Sequence, residues 1–166
     1  FKQPRLVRQI QDIIEKSGIK GPTCRVEITE TAMMQEPEKA LKLLNDLKSL
    51  EILLYIDDFG TGYSSLSYLQ KLPIDALKID KTFVQEIDTS SKSAQIIYAI
   101  IALGKAFDLR IVAEGVENHA QASMLRNSKC NHVQGYLFSK PQTVESLEEF
   151  LSVKVHDSVS SEIMAM

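Results

Sequence analysis

Helical hydrophobic periods alternate along the chain with short apolar runs. Leu6, Ile10, Ile13 and Ile14 recur at spacings of three and four, which places them on one face of a helix. Pro37 suits a first helical position, with Leu41, Leu44, Leu47 and Leu50 along one stripe behind it. Ser91 or Ser93 can cap a helix carrying Ile96, Ile97, Ile100, Ile101 and Phe107. Asn118 with Gln121 three residues later fits a capping box for a helix through Leu125, and Thr143 can cap a last helix through Phe150 and Leu151. Between these lie short runs of β-branched and aliphatic residues: Arg25 to Thr29, Leu53 to Asp57, Ala76 to Ile79, Leu109 to Ala113, and His132 to Gly135. The order strand, helix, strand, helix predicts a parallel sheet with helices outside it. Alternation alone leaves open whether that sheet is open or closed into a barrel. Ser152 to Met166 is polar and loosely patterned and reads as a tail.

Composition narrows the class. The 166 residues are 44% hydrophobic and 25% charged, with 19 Lys+Arg against 22 Asp+Glu for a net charge of −3. That is one ordinary α/β domain, with no interior linker or low-complexity tract. The longest apolar run, Ile96 to Gly104, falls well short of the ~20 residues a bilayer span requires, so no membrane contact is expected in this stretch. A slightly acidic balance does not attract a nucleic acid polymer or an anionic membrane. Cys24 and Cys130 form neither a disulfide framework nor a zinc cluster and read as small apolar residues. His119, His132 and His156 lack metal-ligand spacing. Phe1, not Met, stands first, and Phe1 to Arg8 reads as the approach to a helix inside a domain. The expectation is that a longer protein continues upstream.

The polar residues at the strand ends carry the chemistry. Glu27 lies within the first strand and Glu30 follows it. Asp57 and Asp58 end the second, Lys78 and Asp80 the third, Glu114 the fourth with Glu117 in the loop beyond, and Gln134 stands near the end of the fifth. In a parallel α/β sheet these ends share one rim, which in a β/α barrel is where active sites form. Grouped carboxylates are costly unless cations pair with them, and their oxygens suit hard divalent ions. Each residue alone has a plainer reading. An aspartate at a strand end often caps a helix, a single lysine often snorkels, and Glu30 or Glu117 alone reads as a solvated loop residue. Gly60-Thr61-Gly62 alone is a turn. Repetition at five strand ends favours an oxyanion or metal site, without fixing a substrate.

The strings themselves resemble a known family. Asp57-Asp58-Phe59-Gly60-Thr61-Gly62-Tyr63-Ser64-Ser65-Leu66 is similar to the signature loop of the EAL domain family, bacterial cyclic di-GMP phosphodiesterases. Glu27-Ile28-Thr29-Glu30, Lys78-Ile79-Asp80, Ala113-Glu114-Gly115-Val116-Glu117 and Val133-Gln134-Gly135-Tyr136-Leu137-Phe138-Ser139-Lys140-Pro141 resemble its other motifs, in order, over about residues 1 to 151. The resemblance implies a TIM-type β/α barrel that binds two divalent cations, Mg2+ or Mn2+, and opens cyclic di-GMP to linear pGpG. Carried over, Glu27, Asp57, Asp58 and Glu114 are metal ligands. Glu114 and Lys78 are catalytic, with Lys78 placing the hydrolytic water. Asp80, Glu117, Gln134 and Pro141 contact the substrate. Glu30 braces the loop formed by Phe59, Gly60, Thr61 and Gly62.

Two departures accompany the match. The chain contains no Glu-Ala-Leu, the string that names the family and supplies a metal ligand, and the asparagine ligand expected ahead of Phe1-Lys2-Gln3-Pro4 is absent. Strand counting agrees, since five of the eight strands of a barrel are found, which leaves two unpaired edges. The expectation is an incomplete barrel whose 166 residues alone are inactive, with residues 152–166 as a tail. A non-catalytic cyclic di-GMP-binding or protein-interaction module is the alternative. A lysine-dependent lyase using Lys78 as a Schiff base is weaker, because the neighbouring carboxylates hold that lysine protonated. The resemblance further implies a homodimer, a GGDEF or sensory domain fused upstream, and a cytoplasmic site of action.

Overall fold

A computed structural model describes residues 5–62 and 65–156, with backbone alone for 153–156. The start of the expected helical approach at Phe1 to Pro4, Tyr63 and Ser64 of the signature loop, and most of the expected tail lie outside the described residues.

Among the described residues five parallel strands form one sheet in the order β1-β2-β3-β4-β5: β1 (Arg25–Thr29), β2 (Leu53–Phe59), β3 (Ala76–Ile79), β4 (Arg110–Ala113) and β5 (His132–Val133). Each strand lies beside its predecessor. Successive right-handed crossovers in one direction put the helices on one face, as in a stave of a β/α barrel and unlike a doubly wound sheet, whose order reverses. This resolves what alternation left open, and β1 and β5 are unpaired edges among the described residues.

The two faces of the sheet separate cleanly. Leu54, Ile56, Leu77, Ile79, Ile111 and Ala113 face the helices and anchor the main core with Leu44, Leu47, Ile97, Ile101 and Leu125. On the opposite face a small cluster of strand residues alone, Tyr55, Ala76 and Val112 with Leu53 against it, lies below the polar rim. The Arg25 and Arg110 guanidiniums stand 5.5 and 5.8 Å from the Tyr55 ring centre.

The outer layer comprises α1 (Leu6–Ser17), α2 (Glu30–Gln35), α3 (Pro37–Lys48), α4 (Leu66–Leu69), α5 (Lys81–Gln85), α6 (Ser91–Ala106), α7 (His119–Asn127) and α8 (Val144–His156). The capping box at Asn118 and Gln121 is present as expected. Several expectations need correction. Val7, Ile10 and Ile14 pack against the core, whereas Ile13 is 65% exposed, because the buried stripe of α1 turns past it. Ser90, not Ser91 or Ser93, caps α6 and accepts from the Ser93 N–H. β2 runs two residues past Asp57, and β5 leaves the ladder two residues early. α8 continues to His156, beyond the expected end at Leu151. Cys24 and Cys130 are half-buried at the core margin. Burial raises the Cys130 thiol to about 11 despite backbone hydrogen bonds that favour the thiolate, so it is unreactive near neutrality.

Candidate functional site

A bulge in β2 creates the rim's acidic pair. Ile56 pairs with Leu77 and Phe59 with Ile79, so Asp57 and Asp58 together stand opposite the single residue Lys78. Consecutive residues of a regular strand point to opposite faces, and the extra residue of a bulge breaks that rule. Asp58 takes the left-handed conformation this needs, φ 53°, which aspartate tolerates better than most side chains. As a result carboxylate oxygens of Asp57, Asp58 and Glu114 lie within 4.8 Å of one another.

Lys78 holds the middle of the rim. It is only 4% exposed, and its Nζ lies 2.6 Å from Glu27 Oε2, 2.6 Å from Glu114 Oε1 and 3.0 Å from Asp57 Oδ1. Burial alone would depress its pKa, yet hydrogen bonds to Glu114, Glu27 and Asp57 outweigh burial and raise it. A lysine so held stays protonated and cannot serve as a Schiff-base nucleophile, which removes the lyase reading. Glu27, expected among the metal ligands, is held on Lys78 and stands outside the group of three.

That group fits a divalent cation. Its donors are all carboxylate oxygens, the set that hard ions select. Asp57 Oδ1 is buried, and among the described residues the Lys78 ammonium at 3.0 Å is the one cation paired with it. Burial raises the pKa of Asp58, with Asp57 and its hydrogen-bonded neighbour Asp80 adding to the shift. Burial likewise raises Glu114, with Lys78 opposing.

The residues around this centre fall into three groups. Asp80 is buried and caps α5, accepting from the Thr82 backbone N–H at 2.8 Å and from the Thr82 hydroxyl. The plain capping reading thus applies to Asp80 and not to Asp57 or Asp58. Burial works against its ionisation, but the Thr82 hydrogen bonds and Asp58 lower its pKa overall. Glu30 is 1% exposed, and its Oε2 accepts from Gly60 N–H at 3.0 Å and Gly62 N–H at 3.3 Å. It is therefore no solvated loop residue. A Cβ at Gly62 would stand 2.8 Å from Glu30 Oε1, so the approach requires glycine.

Third, a cleft of about 270 Å3 opens beside the acidic group, lined by Lys81, Gln85, Glu114, Gly115, Glu117, Gln134, Gly135 and Tyr136. Gln134 Nε2 donates to Glu114 Oε1 at 3.3 Å and Gln85 Nε2 to Glu117 Oε1 at 3.2 Å. The Glu117 backbone N–H donates to Gln121 Oε1 at 2.8 Å. Pro141 is exposed ahead of α8 and does not line this cleft. Lys81, Gln85 and Tyr136 were not anticipated from the sequence. The signal for the first two was their spacing of four residues on a helix opening directly behind Asp80.

The fold and the rim define a class: a β/α-barrel sheet with a lysine-centred carboxylate site at the C-terminal ends of its strands. Residues 1–141 match the EAL domain family, and the chain belongs to it. Among relatives, the cyclic di-GMP phosphodiesterase NbdA of Pseudomonas aeruginosa is 45% identical over 146 residues, covering 88% of this chain and 19% of that protein. Among solved structures, the PaMucR phosphodiesterase in complex with c-di-GMP superposes with a TM-score of 0.86 at 39% identity, over 88% of this chain and 59% of that one. The manganese/cy-diGMP complex of Klebsiella pneumoniae BlrP1 superposes with a TM-score of 0.78 at 31% identity, over 84% of this chain and 36% of that one. The chain thus spans about a fifth of the length of the curated relatives it matches.

Proposed function

We propose that the intact protein hydrolyses cyclic di-GMP to linear pGpG with two divalent cations, Mg2+ or Mn2+. The observation that carries this reading is the Asp57–Asp58–Glu114 group, two of whose members pair with Lys78, in a chain whose relatives include named cyclic di-GMP phosphodiesterases. Glu27, Asp57, Asp58 and Glu114 would hold the ions, with Asp57 serving both. Bound cations at such a site supply a nucleophilic water near neutral pH and stabilise charge on the phosphoryl group.

The chain's own residues do the rest. Lys78, kept protonated, donates to the carboxylates and orients water at the rim. Glu114, with a raised pKa beside that lysine, is placed to take a proton. Glu30 fixes the turn of Phe59, Gly60, Thr61 and Gly62 that follows the acidic pair. Asp80, Glu117, Gln134 and Pro141 complete the polar shell for the nucleotide. A homodimer acting in the cytoplasm is part of this proposal, as is a fused GGDEF or sensory domain. The named bifunctional diguanylate cyclase/phosphodiesterase MucR supports the fusion. No helix among the described residues is long and apolar enough to cross a membrane.

The test is magnesium-dependent formation of pGpG by the intact protein, with folding and metal binding verified separately. A folded, metal-loaded protein that leaves cyclic di-GMP uncut refutes hydrolysis. A second reading, nucleotide binding without hydrolysis, would gain support if the intact protein lacked the Glu-Ala-Leu glutamate or the asparagine ligand upstream of Phe1. The 166 residues alone, which contain no Glu-Ala-Leu, are expected to show no appreciable turnover.

A further inference from the structure

The exposed face of α5 forms a wall of the cleft that the proposed chemistry does not use. Lys81 and Gln85 lie four residues apart on that short helix and both line the cleft. The helix is pressed against the turn after β4. Gly115 has φ 72°, and a Cβ there would stand 2.6 Å from Lys81 Cβ, so only glycine lets the lysine lie across the turn between Glu114 and Glu117.

The charges around the cleft are unequal. Its walls carry two carboxylates, Glu114 and Glu117, and among the described residues Lys81 is the sole cation lining it, with Lys140 lying outside it over the Tyr136 ring. Lys78 cannot take that part, because its ammonium is buried and closed on Glu27, Asp57 and Glu114. Lys81 is exposed and pairs with no carboxylate within 4 Å among the described residues, although its charge helps lower the pKa of the neighbouring Asp80. Glu114 belongs both to the metal-type group and to the cleft, so a ligand seated on the group extends along the cleft.

A cyclic dinucleotide brings two phosphodiesters, each carrying one negative charge. The acidic group with its cations takes the one to be cut, which leaves the other facing carboxylate walls unless a cation meets it. On the reading that this site binds cyclic di-GMP, we infer that Lys81 binds the second phosphate, and that Gln85 is a positioning residue holding the Glu117 carboxylate toward the same ligand. Glu117 is then fixed twice, its backbone by Gln121 and its carboxylate by Gln85.

The test uses the intact protein with Lys81→Met, Lys81→Arg, Gln85→Ala, Glu117→Gln and the Gln85→Ala/Glu117→Gln double variant. Steady-state kinetics are measured in Mg2+, and cyclic di-GMP affinity by calorimetry in Ca2+, an ion found with this nucleotide in a solved relative. K81M raises KM and Kd about tenfold with little change in kcat, the size expected for a lost charge-assisted hydrogen bond. K81R restores most of the loss. Both side chains are exposed, so melting temperatures stay unchanged, and K81Q replaces K81M if the latter fails to fold.

Q85A raises KM by a few-fold but adds nothing to E117Q in the double variant. Wild-type KM and Kd in K81M overturn the phosphate contact, and additive Q85A and E117Q effects overturn the positioning role. If the wild type binds the nucleotide without cutting it, the hydrolase reading falls, while weaker binding by K81M still upholds the wall. If it does neither, both readings fall.

Discussion

Lys78 Nζ and Glu114 Oε1 lie 2.6 Å apart on the neighbouring strands β3 and β4, and the same ammonium closes on Glu27 and Asp57. One buried cation therefore offsets three carboxylates whose side chains retain 44%, 24% and 17% exposure. Replacing Lys78 by Met leaves them to repel one another. Breaking a fully buried pair costs ~3–5 kcal/mol, and the water still reaching these carboxylates reduces that to about 2 kcal/mol. A divalent cation supplies the missing charge. K78M is therefore expected to melt well below the wild type in EDTA and to recover much of the gap in Mn2+. Equal melting temperatures in EDTA would refute this role for the ammonium.

The raised pKa values of Asp58 and Glu114 set the pH response. Between their ordinary values of 3.8 and 4.5 and their higher folded values, the folded metal-free protein holds protons that the unfolded chain has released. By linkage, these two groups make the metal-free protein more stable as pH falls through that window and less stable above it. Asp80, with a lowered pKa, acts oppositely and only at lower pH, losing its contribution as pH falls below its ordinary 3.8. Protons and metal compete for the same oxygens. Mn2+ affinity should therefore begin to fall at a pH above the ordinary carboxylate range, and D58N should flatten that dependence. Titration calorimetry across acidic to neutral pH checks it, and affinity constant down to pH 4.5 would contradict the shifts.

Glu30 makes a separable prediction. Its carboxylate accepts the N–H groups of Gly60 and Gly62 at 1% exposure, so Glu30→Ala leaves two donors without this acceptor. The expected loss is ~1–3 kcal/mol, with Glu30→Gln milder because an acceptor oxygen remains. Gly62→Ala drives a methyl group into the same carboxylate and should resemble E30A. Metal affinity should fall in all three, because the turn continues directly from Asp57 and Asp58. Melting curves and Mn2+ titrations test this together, and a Gly62→Ala protein with wild-type values for both would sink it.

How far the sequence foretold this site follows from particular residues. Runs of β-branched and aliphatic residues located all five strands, and the strand order set Glu27, Lys78 and Glu114 at one rim. It could not place Asp57 and Asp58 together, because that depends on the bulge at a left-handed Asp58. Glu30 taken alone looked like a solvated loop residue because its partners Gly60 and Gly62 come from the turn after β2, 30 and 32 residues away, and only the family resemblance tied it to that turn. Three helices, α2, α4 and α5, are too short to show a 3.6-residue period, and with α5 went the cleft wall of Lys81 and Gln85. Membership of the family was legible because its motifs are contiguous strings, whereas side-chain partners are not local.

The far end of the sheet separates stability from chemistry. Asp75 precedes β3, and its carboxylate accepts twice from Lys48 Nζ at 2.7 Å and once from the Leu54 N–H at 2.7 Å. It thereby ties the end of α3 to the start of β2, opposite the acidic rim. Asp75→Ala removes an ion pair whose side chains are 36% and 21% exposed and leaves a strand N–H without its acceptor. The orphaned amide, at ~1–3 kcal/mol, outweighs the partly solvated ion pair, at ~0–1 kcal/mol. Asp75→Asn retains an acceptor oxygen for Leu54 and should cost about half as much. Neither change touches a residue of the rim or the cleft, so KM, kcat and Mn2+ affinity should match the wild type below the melting transition. A D75N protein with intact stability but impaired turnover would mean that the two ends of the sheet are coupled.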